Sequence, residues 1–115
     1  MRSLTLFAAA AVAIALPAAA HHGWSSYDES KPLTIAGSFT QLSWGNPHGT
    51  AKMQWQGKIW DVILAPTGRM EARGLTQAEV APGKRIRLTG YARRDGTAEM
   101  RIERIMIGSK TVELR

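Results

Sequence analysis

Leu33-Thr34-Ile35-Ala36-Gly37-Ser38-Phe39-Thr40-Gln41-Leu42-Ser43-Trp44 is the stretch whose reading decides the fold. Leu33, Ile35, Gly37 and Phe39 alternate with Thr34, Ala36, Ser38 and Thr40, the period of a strand with one face turned to a core. The phase then slips, and the apolar side resumes at Leu42 and Trp44. One extra residue in a strand turns everything beyond it and bends the chain, as a β-bulge does. The segment therefore reads as a long, bent first strand.

Downstream, Gly45-Asn46-Pro47-His48-Gly49 is dense in turn formers, and Thr50 to Gln56 and Lys58 to Leu64 flank Gly57 as a hairpin. Trp60, Val62 and Leu64 share the inward face, with Met53 and Trp55 on the preceding strand. Between Pro66 and Pro82 the apolar residues Met70, Ala72, Leu75, Ala78 and Val80 fall at helical spacing, split by Gly74, so one or two short helices are expected. Pro82-Gly83 launches a strand from Lys84 to Arg93, with Ile86, Leu88 and Ala92 on one side and Arg85, Arg87 and Tyr91 on the other. Asp95-Gly96 is a tight-turn pair. The return strand runs Glu99 to Ile107, and Gly108-Ser109 leads to a last strand, Lys110 to Leu114. A mainly β fold of five or six strands with one short helical segment follows, and a bent first strand favours a small closed barrel of the oligonucleotide/oligosaccharide-binding (OB-like) kind over a roll or small sandwich.

Upstream of the first strand, residues 1–20 read as a secretory signal peptide. Arg2 is the positive start, Leu4 to Leu16 the apolar run, and Pro17-Ala18-Ala19-Ala20 the small-residue cleavage site. The run is too short for a spanning helix, which needs about 20 residues. A periplasmic domain with no stable membrane insertion is expected, made of an extended arm over residues 21–32 and a β domain over residues 33–115. The chain has no cysteine, so it is neither acylated as a lipoprotein nor held by disulfides. Its stability has to come from one core. Of 15 Lys+Arg against 9 Asp+Glu, removal of Arg2 with the leader leaves 14 against 9, a formal charge of +5. That balance suits acidic partners, but export separates the domain from nucleic acid.

Three histidines carry the best chemical clue. Cleavage after Ala20 makes His21 the first residue, so its α-amine and its imidazole sit on one residue and form a chelate without help from a fold. The amine has an ordinary pKa of about 7.7, within reach of displacement by a divalent metal near neutral pH. His22 and His48 offer two further imidazoles, and an all-nitrogen set of this kind suits Cu(II) or Zn(II). Against the metal site stands the plainer reading of two solvated histidines at a terminus.

Trp24 and Trp44 flank the histidine-bearing segments and are candidates for a ligand surface, together with Arg93 and Arg94. Such a surface would take an acidic or sugar-like component of the cell envelope. Pinning of the arm to the barrel is the alternative role for the tryptophans. The arginines of the predicted Lys84–Ile107 hairpin are interleaved with Asp95, Glu99 and Glu103, which allows ordinary cross-strand ion pairs. Enzyme chemistry finds little support. Ser25, Ser26, His21, His22 and Asp28 crowd into one polar arm with no elbow turn around them, and Asp28 and Glu29 are neighbours, not a pair set across a cleft. A copper redox centre is the one catalytic option left open. The expected protein is a non-enzymatic binding domain, with a structural partner-docking role as a further alternative.

His21-His22-Gly23-Trp24 after a leader, Gly37-Ser38-Phe39, Trp44-Gly45-Asn46-Pro47-His48, Pro82-Gly83-Lys84 and Arg94-Asp95-Gly96 together resemble an exported bacterial family catalogued as domain of unknown function 6152. The likeness covers nearly all of the chain beyond the leader. It implies a periplasmic β domain with no established activity and supplies no catalytic residue.

Overall fold

The computed structural model describes Ser3 and residues 23–115. The expected leader and the pair His21 and His22 lie outside the described residues. The bent first strand is present as two halves, β1 (Leu33–Gly37) and β2 (Gln41–Ser43). They are followed by β3 (Thr50–Trp55), β4 (Lys58–Ile63), α1 (Thr67–Ala72), β5 (Ile86–Ala92), β6 (Glu99–Ile107) and β7 (Lys110–Glu113).

The hydrogen-bonded order is β1-β5-β6-β4-β3-β2, with β7 also on β6. Its two ends are consecutive halves of one strand, so the sheet curls back on itself as an OB-like barrel. The Thr40 amide donates to Lys52 O at 2.8 Å, continuing the β2–β3 pairing into the bend. Every pairing is antiparallel except β4 with β6, where Asp61, Val62 and Ile63 align with Glu99, Met100 and Arg101. β6 is long enough to take β4 and then β7 on the same side.

The alternation of β3 and β4 does what the sequence suggests. Met53, Val62 and Leu64 are buried, and Trp55 and Trp60 pack at the margin of the core with ring centroids 5.7 Å apart. Gln56 and Gly57 both have positive φ, the requirement of a tight hairpin turn whose twist matches its strands. Ile35 and Phe39 of the bent strand, Leu88 of β5, and Met100, Ile102 and Ile105 of β6 complete the centre of the core. The apolar phase of β6 slips between Ile102 and Ile105, because its register against β5 shifts between Thr89 and Gly90.

After β4, Pro66 precedes α1 and Gly74, at φ 88°, follows it. Proline presets the entry and glycine the left-handed exit, so the helix is a single short turn and a half. It buries Met70. A 3-10 turn over Ala78–Val80 buries Val80 before the chain enters β5. Together they form the helical segment expected between residues 66 and 82.

Candidate functional site

The arm is not merely extended chain. Trp24–Ser26 make one 3-10 turn, and Tyr27 forms a β-bridge with Arg93. The Asp28 amide donates to Ala92 O at 2.8 Å and the Arg94 amide to Ser26 O at 3.0 Å, so the arm lies along the end of β5. The turn forms because two of its aromatic neighbours need somewhere to go. Tyr27 is buried, and its hydroxyl donates to the Glu99 carboxylate at 2.8 Å. Burial, and then the negative Glu99 oxygen, push its hydroxyl far above the usual tyrosine range.

Trp24 meets Tyr91 edge-on at 6.2 Å, and the guanidinium carbons of Arg101 and Arg115 each lie 4.3 Å from its ring centroid. Two cations against one indole are each attracted by its negative face. They are also near one another: burial first, then the positive charges of Arg115 and Arg69, lower the affinity of Arg101 for its proton. Arg115 is bound to Glu29 and lies 3.7 Å from Glu103. Trp24 is thus the pin that fastens the arm, the second of the two roles its sequence position allowed.

Trp44 sits in the β2–β3 connection. Its indole N–H donates to the Glu71 carboxylate of α1 at 3.0 Å while the ring packs against the core. Four residues on, after a cis Asn46–Pro47 bond, comes His48. It is half-buried, and its Nδ1 lies 3.2 Å from the carbonyl oxygen of Gly49. Gly49 is enclosed: a Cβ there would come within 3.0 Å of Met70 Cε and 3.3 Å of a Leu64 methyl. The amide of Gly49 donates to Ala65 O and its carbonyl accepts from Leu64, so the loop is tied to the end of β4.

Arg93 and Arg94 are committed to local structure. Arg93 pairs with Asp95 at 2.7 Å and Glu99 at 3.6 Å, and its Nε is buried with no hydrogen-bond partner among the described residues. Arg94 Nε donates to Ser25 O. Arg104 likewise meets Glu103 and Glu113, so the interleaved acids of the hairpin do form ion pairs. None of Trp24, Trp44, Arg93 and Arg94 borders the groove described next.

A groove does exist on the outer face of the sheet, at a place the sequence did not mark. Register puts Gln41, Lys52, Asp61 and Glu99 in one row across β2, β3, β4 and β6, and Ser43, Thr50, Ile63 and Arg101 in a second. The cavity measures about 340 Å³ and is bounded by members of both rows. The second row continues to Tyr91 on β5, where Trp24 is fastened. Its opposite end is Ser43 on β2, and His48 lies two residues before Thr50, off the row along the chain. The arm anchor and the start of the strand that follows the histidine loop therefore share one row.

No three side chains of the histidine, cysteine, aspartate and glutamate types form a metal-holding group among the described residues. Likewise, no described helix is long and apolar enough to cross a membrane.

A family model described as Family of unknown function (DUF6152) matches residues 9–101. The chain belongs to that family. The match takes in both the histidine pair ahead of Trp24 and His48, together with all of the barrel up to the first part of β6. No curated protein matches the chain.

Proposed function

We propose that this DUF6152 protein is an exported, periplasmic binding protein without enzymatic activity, which holds one Cu(II) or Zn(II) ion with the amine and imidazole of His21, the imidazole of His22 and Nε2 of His48. The observation that carries the reading is that the row Thr50–Ile63–Arg101 joins the arm anchor, where Arg101 lies against Trp24, to the strand that begins two residues after His48. From Arg101 under Trp24 to Thr50 beside the His48 loop is two strand spacings, about 10 Å. Three residues of extended chain, from Trp24 back to His21, reach about 10 Å. In this reading the His21 chelate crosses that span to meet the loop histidine. The Nδ1 contact of His48 supports the same reading, since an imidazole oriented through one nitrogen presents the other for a ligand.

Calorimetric titration of natively exported and processed protein tests this. One equivalent of Cu(II) or Zn(II) is expected to bind, and His48→Ala is expected to weaken binding at least about tenfold, or 1.4 kcal/mol. A cytoplasmic preparation that begins with an added methionine loses the amine chelate and should bind more weakly still. Equal affinity for the processed chain and a His22→Ala, His48→Ala double variant would end the proposal. So would mass spectrometry showing a processed chain that starts at another residue.

A further inference from the structure

The groove across β2, β3 and β4 is independent of the histidines, and its chemistry selects a ligand class. Lys52 and Asp61 face each other at 2.9 Å, so their charges cancel. Glu99, at the far wall, is already engaged by the Tyr27 hydroxyl and lies 3.6 Å from Arg93. The row carries one formal negative charge in excess, so it does not favour an anion, although the chain as a whole is basic.

What remains in the groove is neutral hydrogen-bonding capacity. The side chains of Gln41, Ser43 and Thr50 have no protein partner among the described residues. Lys52 has donors and Asp61 an acceptor oxygen beyond the single bond they share. A donor and an acceptor held side by side match a pair of neighbouring hydroxyls, each of which gives one hydrogen bond and takes another. Ile63 adds an apolar wall for C–H groups. A volume of about 340 Å³ lies at the small end of ligand sites and suits one or two sugar rings. The outer face of these strands is also where barrels of this topology take oligosaccharides.

We infer that the outer groove between Gln41, Thr50, Lys52 and Asp61 is a binding site for a neutral saccharide of one or two rings. Isotope-labelled, natively processed protein titrated with maltose, cellobiose and N,N′-diacetylchitobiose provides the test. At least one sugar should shift the amide resonances of residues 41–43, 50–52 and 61–63. Ser43→Ala and Asp61→Asn, conservative changes at exposed positions, should each weaken that response at least about threefold with an otherwise unchanged spectrum, and His48→Ala should leave it intact. The inference is overturned if none of the sugars shifts those amides, if both variants respond like the parent, or if only a sulfated disaccharide binds there.

Discussion

Among single residues, Gly90 shows most plainly how the barrel constrains its sequence. It lies in β5 opposite Ile102, where β5 and β6 change register. A Cβ at this position would meet the Arg101 carbonyl oxygen at 2.4 Å and an Ile102 methyl at 2.9 Å. Backbone cannot give way as a side-chain tip can, so Gly90→Ala is expected to cost about 3 kcal/mol. In urea denaturation the midpoint should fall while the slope stays the same. Tyr27 is the second such residue. Its hydroxyl binds its proton more tightly in the folded arm than in the unfolded chain, so the contribution is complete below pH 10 and fades as pH rises past it. Neither role was visible in the sequence. A glycine in a strand and a tyrosine in a polar arm are ordinary until the neighbouring strand is in place. The histidines, by contrast, drew notice by residue type and by position relative to the expected cleavage site.

At the scale of elements, the strands were legible because alternation is local. The slip after Phe39, the Gln56-Gly57 and Asp95-Gly96 turns and the Pro66-to-Pro82 helical segment each rest on a few neighbouring residues, and each is found. The groove and the parallel pairing of β4 with β6 were not legible. They depend on which strands lie side by side, and the groove is lined by common polar residues at outward positions. The helical segment also guards an edge. Arg69 and Arg73 donate to the carbonyls of Leu114, Glu113 and Arg115 at the end of β7, which pairs only with β6 among the described strands. Lys110 at the start of β7 binds both oxygens of Glu79. That ammonium, with two hydrogen bonds from Thr76, holds the Glu79 carboxyl at about 2, below its ordinary 4.5. The depressed value means the contact stabilises the fold above pH 4.5 and is lost as pH falls towards 2. The difference in melting temperature between the parent and Glu79→Gln should therefore be largest above pH 5 and shrink over that window.

For the molecule as a whole, the decisive property is that arm and tail meet. Arg115 holds Glu29 and lies against Trp24, so the last residue helps to fix the segment that precedes the first strand. Exposed ion pairs contribute about 0–1 kcal/mol and a cation over an indole about as much, which is little beside the core. Arg115→Ala should accordingly leave the melting temperature almost unchanged. Hydrogen exchange at residues 24–28 should still accelerate about tenfold, since local opening of the arm costs far less than global unfolding. Exchange within β5 and β6 should not change. The closed order of strands explains that separation: the barrel is complete without the arm, and the arm is laid on its outside.

The meeting of arm and tail also dictates where a purification handle can go. A polyhistidine extension after Arg115 would begin beside Trp24 and carry six foreign imidazoles to the contact that fastens the arm. An affinity handle inserted between Gln56 and Gly57, at the exposed tip joining β3 to β4, would leave that contact untouched.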